Sequence, residues 1–302
     1  MGMDQSNNGH PQQESRKGKA GTPIIKIAVC LPFYNGPDVH TFDEYFRHMA
    51  YYGRLTERAH IREEILFRSG KGSWEEIEKE LPPLDVESVT KDSELRDEDP
   101  IFEFVFIKEV KNSLIGQVRE VLVDQAIEAG CDYVFFFDDD MLFAKETLIR
   151  LFRRQVPVVY ALAFTSRQPV VPVVYKFITE WNPKTQRNER DTRFNLDYPR
   201  NSFFRADASG SGVCLIETDV FKSFPKPWFA STGCGEDMFF CYECDKRQIP
   251  IYVDSTLWTS HKPNFPMEWH DEGAFDRSLE KTNAQDSDRH VEALAHHIKE
   301  MV

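Results

Sequence analysis

Three consecutive carboxylates, Asp138, Asp139 and Asp140, follow five unbroken apolar residues, Tyr133 to Phe137. Adjacent carboxylates repel one another, and burying them unpaired is costly. A hard divalent cation removes both problems, because Mg²⁺ and Mn²⁺ prefer oxygen ligands. Capping the helix expected near Lys145 to Phe152 would need one Asp, not three. On extended backbone, Asp138 and Asp140 project to the same side. A second acidic pair, Glu236-Asp237, follows Gly235 at the start of another expected helix. Either carboxylate could act as a general base or favour the helix N-terminus electrostatically, and spacing does not choose between them. Trp228 and Trp258 could stack on a sugar or base, or pack in a core. Cys241 and Cys244 have a metal-like spacing, and Cys234 with His261 would complete a four-ligand zinc set. Structural zinc sites, however, usually show two paired motifs.

These groups need elements to hold them. A short continuous apolar run reads as a strand buried on both faces, as in parallel sheets, where ligands bind outside the carboxyl ends of the strands. The run ending at Asp138 is one such strand, and Ile24 to Leu31 is another, closed by the turn residues Pro32 to Pro37. A helix carrying Phe42, Tyr45, Phe46 and Met49 follows, then a second helix over 54–69. Phe102 to Ile107 reads as a strand. Asn112 or Ser113 would cap the next helix, with a buried stripe of Leu114, Val118, Val121, Leu122, Ala126 and Ala129 ended by Gly130. Further strands are expected in Val156 to Phe164, Val170 to Phe177, Val213 to Ile216 and Ile249 to Val253, with a helix from Gly235 to about Arg247. Gly210 and Gly212 would let backbone approach a ligand closely. The alternation of strands and helices predicts an α/β fold with a mostly parallel central sheet flanked by helices. Residues 1–22 read as a disordered leader, 23–265 as the folded domain and 266–302 as a helical tail with an amphipathic segment over 287–301.

Composition bounds the rest. The 302 residues suffice for one large domain or two small ones, and a net charge of −13 opposes non-specific binding to nucleic acid or anionic membrane. The acidic stretch 85–99 reads as a mobile surface loop. Against that acidity stand Lys184, Arg187, Arg190, Arg193, Arg200 and Arg205, either a solvated hairpin or a cationic border to an acceptor site. No apolar run is long enough to span a bilayer, so no stable membrane insertion is expected. With no secretory signal, the six cysteines read as free thiols in a reducing, cytoplasmic setting.

Four blocks, in order, carry a family resemblance: Ile27 to Asn35; Val118-Arg119-Glu120 through Asp140; Ser209 to Gly212 with Trp228-Phe229; and Gly235-Glu236-Asp237 through Asp254 to His261. Together the chain resembles a nucleotide-sugar-dependent glycosyltransferase of the GT-A fold, closest to the family-2-like inverting group. The resemblance implies a Rossmann-like sheet with Asp-x-Asp at a strand end. It implies a nucleotide-sugar site using Pro32, Tyr34, Asn35, Arg119, Asp138 and Asp139, and Mn²⁺ or Mg²⁺ held by Asp138, Asp140 and His261. The metal role falls mainly to Asp140, leaving Asp139 or Asp138 to face the ribose. Asp237, with Glu236 as alternative, would be the base, and Gly212, Trp228 and Trp258 would line the acceptor or sugar side. Related sequences commonly carry Asn after the Arg, where this chain has Glu120. A uridine diphosphate sugar is the favoured donor. The acceptor stays open among polysaccharide, lipid, protein and modified nucleic acid, as does the oligomeric state.

Two other enzyme classes compete. A haloacid-dehalogenase-like phosphotransferase also places Asp-x-Asp after a buried strand, but usually has Thr or Val where Leu142 stands, and nearer the chain's start. A sugar nucleotidyltransferase would need a Gly-rich, Arg-containing loop in place of Pro32-Phe33-Tyr34-Asn35. A non-catalytic sugar- or nucleotide-binding module is the alternative from outside enzymes.

Overall fold

A computed structural model describes residues 16–18, 21–33, 39–69, 96, 99–110, 114–165, 170–231 and 235–261. Tyr34, Asn35, Asn112, Ser113 and Cys234, most of the acidic stretch 85–99, the first fifteen residues and the expected tail helix lie outside the described residues.

Seven strands form the central sheet. They are β1 (Ile24–Phe33), β2 (Ile101–Val110), β3 (Tyr133–Phe137), β5 (Val158–Ala161), β8 (Phe203–Ala206), β10 (Val213–Glu217) and β11 (Ile251–Asp254), ordered β2-β1-β3-β10-β5-β11-β8. β2, β1 and β3 run parallel, as do β5 and β11, whereas β10 and β8 run antiparallel to their neighbours. The fold is therefore α/β with a mostly parallel, Rossmann-like sheet. β4 (Met141–Phe143) pairs with β12 (Thr259–His261), and β6 (Val174–Asn182) pairs with β7 (Arg187–Phe194) and β9 (Ala208–Ser209).

Alternation along the strands divides the core into two layers. Ala28, Cys30, Val134 and Phe136 pack with Val118, Leu122 and Ala126 of α2 (Ile115–Glu128), Phe221 of α4 (Thr218–Lys222) and Phe240 of α5 (Glu236–Lys246). Ile27, Val29, Leu31, Phe135 and Phe137 pack on the other face with Tyr52 and Leu55 of α1 (Val39–Ser69) and Leu148 of α3 (Thr147–Phe152). The chain leaves β1 through α1 to reach β2 on one side, and returns through α2 to β3 on the other. β1 and β3 thus flank a topological switch point, and a crevice belongs at their carboxyl ends.

Three expectations change. The two helices expected over 42–69 are one, Val39–Ser69. Gly53 is exposed with open space around it, and one exposed helical glycine costs only about 1 kcal/mol. Tyr51, Tyr52 and Leu55 pack continuously past it. The leader is ordered in part: Arg16 pairs with Asp132 and donates to the Gly130 carbonyl at 3.0 Å. Asp99, at the end of the acidic stretch, is buried and ion-paired to Arg153 at 2.6 Å.

Candidate active site

Four segments meet at the carboxyl edge of β1 and β3. Asp138 ends β3, and its backbone N–H donates to the Gly212 carbonyl at 2.9 Å. That bond follows from the sheet: β10 runs antiparallel to β3 with Val213 opposite Phe137, so Ser209 to Gly212 arrive at the same edge. From α5, Glu236 and Asp237 enter at the helix start. From the first turns of α2 comes Arg119.

Arg119 is the hub. Its side chain is 1 % exposed, an unusual place for a guanidinium. Nη2 donates to Asp138 Oδ1 at 2.7 Å, Nη1 reaches the Ser211 carbonyl at 3.4 Å, and Nε stands 4.0 Å from Glu236 Oε1. Phe136 lies beneath the guanidinium, 5.3 Å from its ring centre. Arg119 thus lies as a buried counter-ion among the carboxylates Asp138 and Glu236. Burial opposes its charge, and Asp138, Asp237 and Glu236 together outweigh that and hold its proton more firmly.

One cation faces too many anions. Burial pushes the Asp138 carboxyl up to about 7; Arg119 pulls it down, while Asp237 and Asp140 push it up. Glu236 is also raised, first by burial and then by Asp237. Asp237 Oδ1, Ser211 Oγ and Arg119 Nε are fully buried without a hydrogen-bond partner, a rare condition in folded proteins. Such a surplus of hard oxygen donors suits a divalent cation chemically. The ligand set is not closed, however: among the described residues, no three His, Cys, Asp or Glu side chains are gathered to hold a metal ion. β12 places His261 opposite Met141, the residue after Asp140. Asp140 itself is exposed on the turn that Met141 N–H closes onto the Asp138 carbonyl at 3.1 Å, with Asp139 half-buried beside it.

The glycines divide. A Cβ on Gly210 would stand 2.6 Å from Val173 Cγ1, so packing against Val173 favours glycine there, and Asp237 Oδ2 lies 3.7 Å from the same point, an ordinary contact distance. A Cβ on Gly212 would make ordinary contact with Met141 at 3.4 Å, so no close approach demands that glycine.

Other expected residues fall as follows. Pro32 is buried near the end of β1. Trp258 is 47 % exposed, just before β12 at the same edge. Trp228 is buried, and its indole N–H donates to the carbonyls of Phe221 at 2.9 Å and Phe224 at 3.1 Å. Cys241 and Cys244 lie in the core, where burial raises the Cys244 thiol against the thiolate that zinc needs. Leu114 is 55 % exposed rather than part of the α2 stripe.

Two arginines of the basic run, Arg190 and Arg193, have acidic partners. Arg190 pairs with Asp245 at 2.6 Å and lies 4.1 Å over Phe177, while Arg193 pairs with Glu180 at 2.7 Å. The Arg190–Asp245 pair docks the β6–β7 hairpin on α5, where Phe177 stacks on Tyr242 at 4.4 Å, and the Arg193–Glu180 pair ties the two strands of the hairpin together. Sequence reasoning missed Tyr175 on β6: burial and nearby Asp237 raise its phenol, and no motif marks it.

No protein-family model matches the chain, and no curated protein matches it in sequence. Among solved structures, the chain is similar to A197 from STIV at a TM-score of 0.42 and 14 % identity, over 81 % of this chain and 87 % of that one. It is also similar to a Bacillus anthracis protein, assigned as a glucose-1-phosphate thymidylyltransferase and bound to sucrose, at a TM-score of 0.34 and 12 % identity, over 88 % and 96 % of the two chains. Likenesses this distant carry no weight for the activity. No described helix is long and apolar enough to cross a membrane.

Proposed function

We propose that this chain is a GT-A glycosyltransferase that moves a sugar from a nucleotide diphosphate donor, a uridine diphosphate sugar by preference, to an acceptor hydroxyl with inversion. The observation that carries the reading is the meeting, at the sheet's switch point, of the Asp138 strand end with the Glu236-Asp237 helix start, bridged by Arg119 at 2.7 Å from Asp138.

Each residue has a role that its surroundings suit. Asp237 takes the proton from the acceptor hydroxyl: its Oδ1 is a buried acceptor with no partner of its own. Glu236 stands next to it, 4.0 Å from Arg119 Nε, and helps hold the guanidinium in place. Asp140, with Asp138 and His261, would hold Mn²⁺ or Mg²⁺, which when bound supplies charge neutralisation for the departing diphosphate. Asp139 or Asp138 faces the ribose, and Trp258 offers an exposed ring to sugar or base. With no protein nucleophile in this scheme, direct attack inverts the anomeric carbon.

The test is a panel of nucleotide sugars incubated with the full chain, with and without Mn²⁺, reading the released diphosphate. A single donor hydrolysed only with metal is the expected result. Asp237→Asn should keep donor binding and lose about 10²-fold or more in transfer, the scale of a general base. No metal-dependent release from any donor would remove the proposal.

A further inference from the structure

The residue after Arg119 has a task of its own. Glu120 accepts two backbone hydrogen bonds on Oε1, from Trp228 N–H and from Phe229 N–H, the latter at 2.7 Å. Lys226 lies 3.9 Å from its other oxygen. A carboxylate taking two backbone N–H groups in a partly buried setting is a strong anchor, because charge assistance roughly doubles such bonds. The anchored loop reaches α5 directly. The Phe229 ring stacks on Phe240 of α5 with centroids 5.2 Å apart and planes at 19°. On Gly116, one turn before Glu120, an added Cβ would clash with the Phe229 carbonyl oxygen and stand 3.1 Å from Glu236 Cβ, so the helix and this loop approach closely. Phe240 is one helical turn beyond Glu236 and Asp237, so whatever fixes Phe229 fixes the start of α5.

We propose that Glu120 is a positioning residue. It pins the 228–229 loop, and through Phe229 and Phe240 it sets where Glu236 and Asp237 stand relative to Arg119 and Asp138. The two adjacent residues of α2 then divide the labour: Arg119 supplies the counter-charge and Glu120 the register. The catalytic consequence rests on Asp237 being the base; the mechanical one does not.

Both parts are measured on the full chain as wild type, Glu120→Gln and Glu120→Ala. Hydrogen exchange read by mass spectrometry, without substrate, tests the mechanics. In Glu120→Ala, segments 226–231 and 236–241 should both exchange roughly tenfold faster, with β1 and β3 unchanged. Glu120→Gln keeps an oxygen acceptor without the charge and should fall between, and it decides the matter if the alanine variant does not fold. Transfer kinetics test the consequence: kcat should fall about 10²-fold in Glu120→Ala, the scale of a 1 Å misplacement, while KM for the donor holds. Segment 236–241 exchanging at the wild-type rate in the folded variants overturns the positioning role, and an unchanged kcat overturns its catalytic consequence. If the wild type turns over no donor, the glycosyltransferase reading falls, and the exchange of 236–241 still decides the mechanical claim.

Discussion

Replacing Arg119 with Met tests the electrostatic reading of the site most directly. Met fills much of the space without charge, leaving Asp138, Glu236 and Asp237 facing one another. Removing one partner of a buried ion pair costs about 3–5 kcal/mol. The low end applies, because the Asp138 side chain is 30 % exposed and Glu236 stands at 4.0 Å from the guanidinium. A loss of about 3 kcal/mol corresponds to roughly 6–12 °C in Tm for a domain of this size. Arg119→Lys keeps the charge but not the fork, which here serves Asp138, the Ser211 carbonyl and Glu236 at once, so it should recover only part of the loss. Urea unfolding at pH 8 with a chelator present measures these values, and Asp138→Asn in the same series completes a double-mutant cycle. At pH 5, below the Asp138 value of about 7, the carboxyl is neutral and the cost of Arg119→Met should shrink. A loss under about 1 kcal/mol at pH 8, or no coupling between Arg119 and Asp138, refutes the counter-ion role.

Three further predictions concern the metal, the long helix and the hairpin. Because the folded-state value of Asp138 is raised, the ion-free chain takes up a proton more readily than the unfolded chain. Its stability from this group therefore grows as pH falls from about 7 toward the ordinary carboxylate range, whereas cation binding needs the ionised form. Mn²⁺ affinity, read by titration calorimetry, should accordingly weaken as pH drops through 7 and vanish in Asp140→Ala; a pH-independent affinity that survives Asp140→Ala would remove the metal assignment. Gly53→Ala, on an exposed face with open space around it, should stabilise the chain by about 1 kcal/mol in urea unfolding, and a loss would mean that α1 is kinked there. Arg190→Glu should loosen the hairpin from α5, visible as faster hydrogen exchange in β7, and leave the salt dependence of acceptor binding unchanged; a changed salt slope would restore the cationic-border idea.

The sequence alone determined the strand ending at Asp138 and the helix starting at Glu236. Both are local signals: an apolar run buried on two faces, and a glycine followed by acids that suit a helix N-terminus. The α/β order also followed from local alternation. Tertiary structure decided the rest, because the partners are far apart in the chain. Arg119 and Glu120 are adjacent polar residues whose types do not say which distant group each will meet. One is buried against Asp138, and the other holds the backbone of Phe229, 109 positions away. Trp228 reads more readily as a core residue than as a binding face, and the carbonyls of Phe221 and Phe224 hold its indole inside. Arg190 and Arg193 of the hairpin read as part of a patch until Asp245 and Glu180 pair with them. Gly210 and Gly212 are indistinguishable in a Gly-Ser-Gly string, and only the packing of Val173 beside Gly210 shows which one must lack a side chain. Charge and aromatic character are visible residue by residue, but whether they are spent inside the molecule or offered to a ligand depends on which distant segment the fold brings alongside.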